Sequence, residues 1–183
     1  NSGSSALMLA MELIDLEEGV EVLTPALTFS TTVSYIVRNN LVPAFVDVEE
    51  GTYLIDVEKV EEMITPRTRA VVIPHLIGNV FDWRTIQPLV EKYDLKIIED
   101  SADTLGGTIK NQPSGNYADI SITSFYGSHI INCAGNGGMI SVDDDEYDRI
   151  ARILRSWGRS SSVFSDSESI DNRFSVELEG VPY

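Results

Sequence analysis

The stretch Lys96-Ile97-Ile98-Glu99-Asp100 joins a pair of apolar β-branched residues to two carboxylates at its end. A second stretch, Ala70-Val71-Val72-Ile73-Pro74, is apolar throughout and does not alternate with polar positions. Short strands that are apolar on both faces and separated by helical patterns are typical of a mostly parallel sheet covered on each side. The two stretches therefore predict an α/β fold with three layers, in which a mostly parallel sheet has helices on both faces.

The same succession of short apolar strands and helical patterns extends to about residue 156. Further strands are predicted at residues 20–23, 44–48, 120–124 and 138–142, and helices at 31–38, 56–64, 83–93 and 143–156. Another helix begins with Ser4 or Ser5 as its N-cap and ends near residue 14. Residues 157–183 are polar and rich in turn formers, which predicts a loop.

The chain has no initiator Met and ends without a polar tail, which predicts a fragment of a longer protein. Residues 1–156 are predicted to form one large domain that is incomplete at its N-terminus. Residues 157–183 are predicted to lead toward a C-terminal small domain beyond the chain.

The 183 residues carry a net charge of −16, with 29 acidic and 13 basic side chains. This balance excludes nucleic acids and anionic membranes as partners, because both require clustered Lys and Arg. The single cysteine, Cys133, permits neither an internal disulfide nor a cysteine-based metal site, which favours a cytoplasmic location. No apolar run approaches the ~20 residues that span a bilayer, and no metal site is predicted.

Ligands of parallel sheets bind beyond the carboxyl ends of the strands, so the residues there are candidates for function. Gly3-Ser4-Ser5 opens a helix whose N–H groups, dipole and hydroxyls suit a phosphate, although an ordinary serine N-cap is the alternative. Asp100 could hold a protonated ring nitrogen, or be a helix cap or loop acid. Glu99 is predicted to point away from Asp100, because side chains alternate along a strand.

Two ring side chains follow other strands. Phe29 could stack on a flat cofactor or pack in the core. His129 lies in Ser124-Phe125-Tyr126-Gly127-Ser128-His129, ahead of Gly135-Asn136-Gly137-Gly138. It could move a proton near neutral pH, or be structural. The same two interpretations apply to His75.

Five motifs, in their order along the chain, resemble the DegT/DnrJ/EryC1/StrS family of sugar aminotransferases. They are Ser2-Gly3-Ser4-Ser5-Ala6-Leu7, Thr24-Pro25-Ala26-Leu27-Thr28-Phe29, Pro74-His75-Leu76-Ile77-Gly78-Asn79, Glu99-Asp100-Ser101-Ala102-Asp103, and Ser124-Phe125-Tyr126 through Gly138. The resemblance implies a fold-type I enzyme that uses pyridoxal phosphate (PLP) and acts on nucleotide-linked keto sugars. Residues 1–156 would be its PLP-binding large domain, in a homodimer whose partner subunit completes the active site.

The resemblance also implies roles for individual residues. The cofactor phosphate would be held by the Gly3, Ser4 and Ser5 segment together with Ser124. Phe29 would stack on the pyridine ring, Asp100 would pair with the ring nitrogen, and Asp103 would contact the cofactor from the same motif.

The chain departs from the family at position 129. The family's aminotransferases have a lysine at this place in the motif, which forms a Schiff base with PLP, whereas this chain has His129. The four lysines of the chain, Lys59, Lys92, Lys96 and Lys110, all lie outside this motif. A histidine in this place resembles the 3-dehydratase branch, which implies non-covalent pyridoxamine phosphate (PMP), His129 as the base, and an amine donor such as glutamate. One dehydratase type carries an iron–sulfur cluster, but its cysteines are replaced here by Ala102 and by the serines at 160–162, so no cluster is expected.

The predicted function is 3-dehydration of a nucleotide-linked 4-keto-6-deoxy sugar, in lipopolysaccharide or deoxysugar biosynthesis, with His129 and Asp100 as catalytic residues. One alternative is a sugar aminotransferase-like protein with altered chemistry. Another is a catalytically inactive PLP-fold binding module.

Overall fold

The computed structural model describes residues 1–163 and, beyond them, only the backbone of Glu177–Leu178 and Val181–Pro182. The chain divides into two compact units, Asn1–Val142 and Asp143–Tyr183. The second unit contains a helix at Asp145–Arg155 and a short antiparallel pair formed by Glu177–Leu178 and Val181–Pro182. The domain boundary predicted at residue 156 stays a prediction, and most of the loop predicted at 157–183 lies outside the described residues.

The first unit alternates helices and strands in the predicted order. Its helices are α1 (Gly3–Leu13), α2 (Ser30–Arg38), α3 (Val57–Met63) and α4 (Gln87–Tyr93). Its strands are β1 (Glu21–Pro25), β2 (Val42–Val46), β3 (Thr68–Pro74), β4 (Lys96–Asp100), the two-residue hairpin β5 (Thr108–Ile109) and β6 (Gln112–Pro113), β7 (Ile120–Ser124) and β8 (Gly138–Ser141). The hairpin was not predicted, because two-residue strands carry no periodic pattern.

The central sheet has the strand order β2-β1-β3-β4-β7-β8. The first five of these strands are parallel, and β8 runs antiparallel to β7. The carboxyl ends of the parallel strands therefore meet at one edge, where Pro74 pairs with Asp100. Ser124 reaches the same edge beside Gly138. The prediction of a mostly parallel sheet is confirmed.

Residues 70–74 of strand β3 are all apolar because both faces of the strand are buried. Val71 and Ile73 belong to a core cluster that includes Val60 of α3 and Trp83. Val72 is also fully buried, and side chains alternate along a strand, so Val72 faces the opposite side of the sheet. Both faces of β3 are therefore covered, and apolar residues are required on each.

Two helix starts differ from the prediction. Ser2, not Ser4 or Ser5, caps α1, because its side-chain oxygen accepts a hydrogen bond from the Ser5 amide at 3.0 Å. The helix predicted at 83–93 is a short 3₁₀ turn, Trp83–Thr85, followed by α4. Pro88 stands in the first turn of α4, where its missing N–H leaves no intrahelical bond unmade.

The first turn of α1 lies against the end of the sheet at two glycines. A Cβ on Gly138 would come within 2.0 Å of the Ser2 carbonyl oxygen, and a Cβ on Gly3 within 2.5 Å of the Ser124 Cβ. Real Cβ atoms do not approach other atoms so closely, so glycine is needed at both positions. This contact fixes the beginning of α1 beside the β7–β8 pair.

We expect Gly138→Ala to reduce the free energy of unfolding by about 3 kcal/mol, because the added methyl group meets backbone atoms that cannot rotate away. Gly127→Ala is the matched control, since a Cβ there has no atom within 4 Å. Its effect should stay within about 0.5 kcal/mol. Urea denaturation measures both, and equal stability of the two variants would contradict the close packing.

Candidate functional site

A cavity of about 600 Å³ opens at the carboxyl edge of the sheet. Its walls come from the start of α1 and from the segments that follow β1, β3, β4 and β7. Seven of the eight candidate residues line it: Gly3, Ser4, Phe29, Asp100, Asp103, Ser124 and His129. Ser5 is not part of the lining, because its hydroxyl is turned toward Asn1 and donates to the Asn1 side chain at 2.5 Å.

One end of the cavity is formed by the first turn of α1. The first amides of a helix have no partner within the helix, so those of Gly3 and Ser4 remain available to a ligand. Ser124 lies directly against Gly3. Its side-chain oxygen accepts a hydrogen bond from the Tyr126 amide at 3.3 Å and keeps its own proton to donate. The helix start and this hydroxyl together suit an anionic group such as a phosphate.

Asp100 is a buried carboxyl group, only 8% exposed. It accepts a hydrogen bond from the Ala102 amide at 3.0 Å. Burial, together with the negative charge of Asp103, raises the pKa of Asp100 to about 6. No Lys or Arg is among the residues that line the cavity in the described part of the chain. The lining therefore offers Asp100 no permanently charged cation, and a protonated ring nitrogen would supply one.

Phe29 lies at the mouth of the cavity with 65% of its surface exposed. It is the N-cap residue of α2, where the chain leaves β1. The core-packing interpretation is therefore wrong, and the ring is free to cover a flat ligand. Its stacking role stays a prediction.

His129 lies in the long loop between β7 and β8, on the wall of the cavity. Its Nε2 is 3.7 Å from the Asp103 carboxylate, and the Tyr126 ring approaches its edge with a centroid distance of 5.9 Å. Its Nδ1 is buried and has no hydrogen-bond partner within the described residues. A ligand in the cavity cannot reach a buried atom, so Nε2 is the nitrogen through which His129 could exchange a proton with it.

The four lysines lie elsewhere. Lys59, Lys92 and Lys96 form ion pairs with Asp47, Glu61 and Asp119 respectively. Lys110 is exposed in the turn between β5 and β6. The cavity lining contains none of them among the residues that the structure describes, so no lysine is placed to bond a cofactor covalently.

Glu99 is a buried carboxylate behind the cavity, and the sequence alone assigned no role to it. Glu99 points away from Asp100, as strand alternation predicts, and is only 1% exposed. Burial would raise its pKa, but hydrogen bonds from His75, Ser101 and Trp83 lower it to about 2. The sequence does show two adjacent acidic residues, Glu99 and Asp100, at the end of a strand. It does not show the hydrogen-bond donors of Glu99, because they come from distant parts of the chain.

Other kinds of site are not found among the described residues. No group of three or more His, Cys, Asp or Glu side chains there could hold a metal ion. The helices in that part of the chain are also too short or too polar to cross a bilayer.

Comparisons with known proteins identify the family of this chain. A model of the DegT/DnrJ/EryC1/StrS aminotransferase family matches residues 1–174. The lipopolysaccharide biosynthesis protein RfbH of Salmonella typhimurium is 36% identical over 99% of the chain and 43% of its own length. The dTDP-4-dehydro-2,6-dideoxy-D-glucose 3-dehydratase of Saccharopolyspora spinosa is 38% identical over 87% of the chain and 36% of its own length. Other relatives carry the names of sugar aminotransferases.

Solved structures give the same result. A GDP-4-keto-6-deoxymannose-3-dehydratase, solved with a trapped PLP-glutamate geminal diamine, matches with a TM-score of 0.85 at 28% identity. The match covers 89% of the chain and 44% of that structure. The chain therefore spans less than half the length of these relatives.

We expect Asp100→Asn to stabilise the cofactor-free protein at pH 8. The folded pKa of Asp100 is about 6 and the ordinary value is 3.8, so the native state binds the proton more tightly than the unfolded state. Stability should therefore fall as the pH rises from about 4 to above 6, by up to about 3 kcal/mol. Asn removes this charge and keeps an oxygen for the Ala102 amide.

Thermal unfolding at pH 4 and pH 8 measures this effect. The melting temperatures of wild type and variant should nearly coincide at pH 4 and separate at pH 8, with the variant higher. Glu99 titrates alike in both proteins and cancels from the difference. A wild-type protein that is at least as stable as the variant at pH 8 would show that Asp100 already has a cationic partner.

Proposed function

The chain belongs to the DegT/DnrJ/EryC1/StrS aminotransferase family, and we propose that it forms the cofactor-binding part of a sugar 3-dehydratase. The substrate is a nucleotide-linked 4-keto-6-deoxy sugar, which loses its 3-hydroxyl group. The observation that carries this proposal is that His129 lies on the cavity wall with Nε2 3.7 Å from the Asp103 carboxylate, in the motif where the family resemblance implies a lysine.

The cavity fits PLP or PMP in size and in chemistry. A volume of about 600 Å³ is within the range of small-molecule sites. The Gly3 and Ser4 amides with the Ser124 hydroxyl would hold the phosphate, and Phe29 would cover the ring. Asp100 lacks a cation, and the protonated ring nitrogen would provide it. Ser5 would act indirectly, through its contacts with Asn1 and Ser2 at the start of the helix.

The bound cofactor supplies an electron sink for cleavage of the bond between C3 and its hydroxyl group. Asp100 holds the proton on the ring nitrogen, and its burial keeps that interaction strong. His129 would act as the base and take up a proton at Nε2, and Asp103, 3.7 Å from Nε2, would stabilise the imidazolium. The products would be ammonia and a 3-deoxy-4-keto sugar, and an amine donor such as glutamate would be required for the next cycle.

The same proposal includes the mode of cofactor binding, the domain organisation and the setting of the whole protein. The cofactor binds non-covalently, and no iron–sulfur cluster takes part, because Ala102 and the serines at 160–162 replace its cysteines. Residues 1–156 form the PLP-binding large domain, and residues 157–183 lead toward a small domain. The whole protein acts as a cytoplasmic homodimer in lipopolysaccharide or deoxysugar biosynthesis.

A sugar aminotransferase-like protein with altered chemistry is the second candidate, and the names of several relatives favour it. A catalytically inactive binding module is the third. Visible absorbance separates either enzyme from the inactive module, since only an enzyme interconverts the PLP and PMP bands when glutamate and keto sugar are added. Formation of a 3-deoxy product separates the dehydratase from the aminotransferase.

We expect His129→Asn to lower turnover by about 10²- to 10⁴-fold, because an amide cannot accept the proton. The dissociation constant for PMP should change little, since His129 does not hold the phosphate or the ring nitrogen. Ile131→Ala, an exposed change in the same loop and outside the cavity lining, is the control and should keep turnover. Unchanged turnover of His129→Asn would remove His129 as the base.

We expect borohydride treatment of the PLP complex to leave the chain unmodified, because no lysine lines the cavity. Peptide mass spectrometry checks each of the four lysines. His129→Lys is the positive control, since its amine would face the cofactor and should be fixed by reduction. A reduced adduct on Lys110 or another lysine of the wild type would contradict the proposal.

A further inference from the structure

Ile77 combines a strained backbone with an apolar side chain at the cavity. The residue is 67% exposed, lines the cavity and has a positive φ. We propose that Ile77 is a specificity-determining residue that contacts the C6 methyl group of the sugar substrate. The inference rests on the proposed function for the class of substrate. It adds the side chain that distinguishes a 6-deoxy sugar from one with a hydroxyl group at C6.

The turn after β3 has two consecutive residues with positive φ. The Asn79 amide donates to the Leu76 carbonyl oxygen at 3.1 Å. The two residues between them, Ile77 and Gly78, have φ values of 50° and 88°. Positive φ at both central residues is the pattern of a type I′ turn, in which Asn and Gly are preferred. Gly78 suits this turn, whereas the β-branched Ile77 is strained in it.

Contacts on both sides hold the turn in place. Before it, the His75 ring accepts the Phe81 amide at Nδ1, at 2.9 Å. After it, the Asn79 side-chain amide donates to the Thr52 carbonyl oxygen at 2.8 Å. These hydrogen bonds fix the ends of the segment, so the strain cannot be relieved by a shift of the loop. Folding stability therefore does not account for an isoleucine at position 77, because an asparagine would fit the same backbone better.

Ile77 lies on the side of the cavity where proton transfer is proposed. A Cβ on the next residue, Gly78, would be 3.6 Å from the Asp103 carbonyl oxygen, so the turn packs against Asp103. The Asp103 carboxylate is in turn 3.7 Å from Nε2 of His129. The phosphate end of the cavity is formed by a different element, the start of α1. A ligand group beside Ile77 therefore belongs to the substrate near His129.

The chemistry of the side chain selects the part of the substrate. Ile77 has no polar side-chain atom and gains free energy only by covering an apolar group. A 4-keto-6-deoxy sugar has one fully apolar substituent, the C6 methyl group, which is carried by C5 next to the reacting C4 ketone. A hydroxyl group at C6 would lose water and gain no partner from Ile77. A contact of this kind discriminates by roughly 10- to 100-fold.

The test uses the full-length protein that contains this chain, loaded with PMP. The probes are a 4-keto-6-deoxyhexose and the 4-ketohexose that has a C6 hydroxyl, each with GDP, CDP, UDP and dTDP as the nucleotide. The wild type should prefer the 6-deoxy sugar at least about tenfold in kcat/KM. Ile77→Asn creates the Asn-Gly pair that the turn prefers and removes the apolar contact. We expect it to reduce this preference to within about threefold.

Stability without any sugar is a second readout. Ile77→Asn should raise the melting temperature by about 2 °C, because the strain is relieved. Lys110→Asn is the matched control. It lies in the other turn with two positive φ values, Lys110 at 46° and Asn111 at 65°, and outside the cavity lining. It should raise the melting temperature similarly and leave the sugar preference unchanged.

Ile77→Val is the conservative variant, since it keeps an apolar β-branched side chain. It should retain the sugar preference to within about twofold of the wild type. The dissociation constant for PMP should be the same in all variants, because Ile77 lies away from the phosphate end and from Asp100.

An unchanged sugar preference in folded Ile77→Asn would overturn the inference. Weaker PMP binding would also overturn it, by assigning the contact to the cofactor. A changed oligomeric state in light scattering would assign Ile77 to a subunit interface instead. A lower melting temperature with equal losses for both sugars would show a structural role.

The failure of the proposed function has a different signature. If the wild type binds the sugars but forms no 3-deoxy product, the proposed dehydration fails. The ratio of the two dissociation constants, measured by titration calorimetry in the wild type and in Ile77→Asn, then decides the role of Ile77 by the same criterion. Binding of neither sugar would overturn both proposals.

Discussion

The buried carboxylate of Glu99 holds together the sheet edge that carries the cavity. A charge removed from water must be met by donors. Its hydrogen-bond donors come from the turn at Trp83, from the segment after β4, from the turn after β6 and from β7, and the His75 ring lies 3.2 Å away. One anion therefore connects elements that are distant in the sequence. Because Asp100 follows Glu99 on the same strand, the connection also decides where Asp100 lies.

The site contains a second buried carboxylate, that of Asp100, whose charge is much less well stabilised than that of Glu99. Asp100 is buried and poorly supplied with donors, and its pKa of about 6 expresses the cost of its charge. In the proposed function, a protonated ring nitrogen would offset that cost, so affinity for the cofactor and instability without it would have one cause. The start of α1 is held differently, by close packing at Gly3 and Gly138, which leaves its first amides directed to the cavity.

Under the proposed function, a histidine at position 129 would alter what the same framework can do. A lysine would hold the cofactor through a covalent bond, whereas a histidine can only move protons. His129 lies on the cavity wall with Nε2 3.7 Å from Asp103. The relatives of this chain include both sugar aminotransferases and 3-dehydratases.

The sequence by itself determined the α/β class, the succession of strands and helices along the chain and the residues that follow each strand, because these depend on local periodicity. The tertiary structure alone decided that Ser2 caps α1, that Ser5 turns toward Asn1 and that Phe29 is exposed. It also decided the roles of Gly138 and Glu99. Each of these depends on contacts between segments far apart in the chain, and a local pattern carries no record of such contacts.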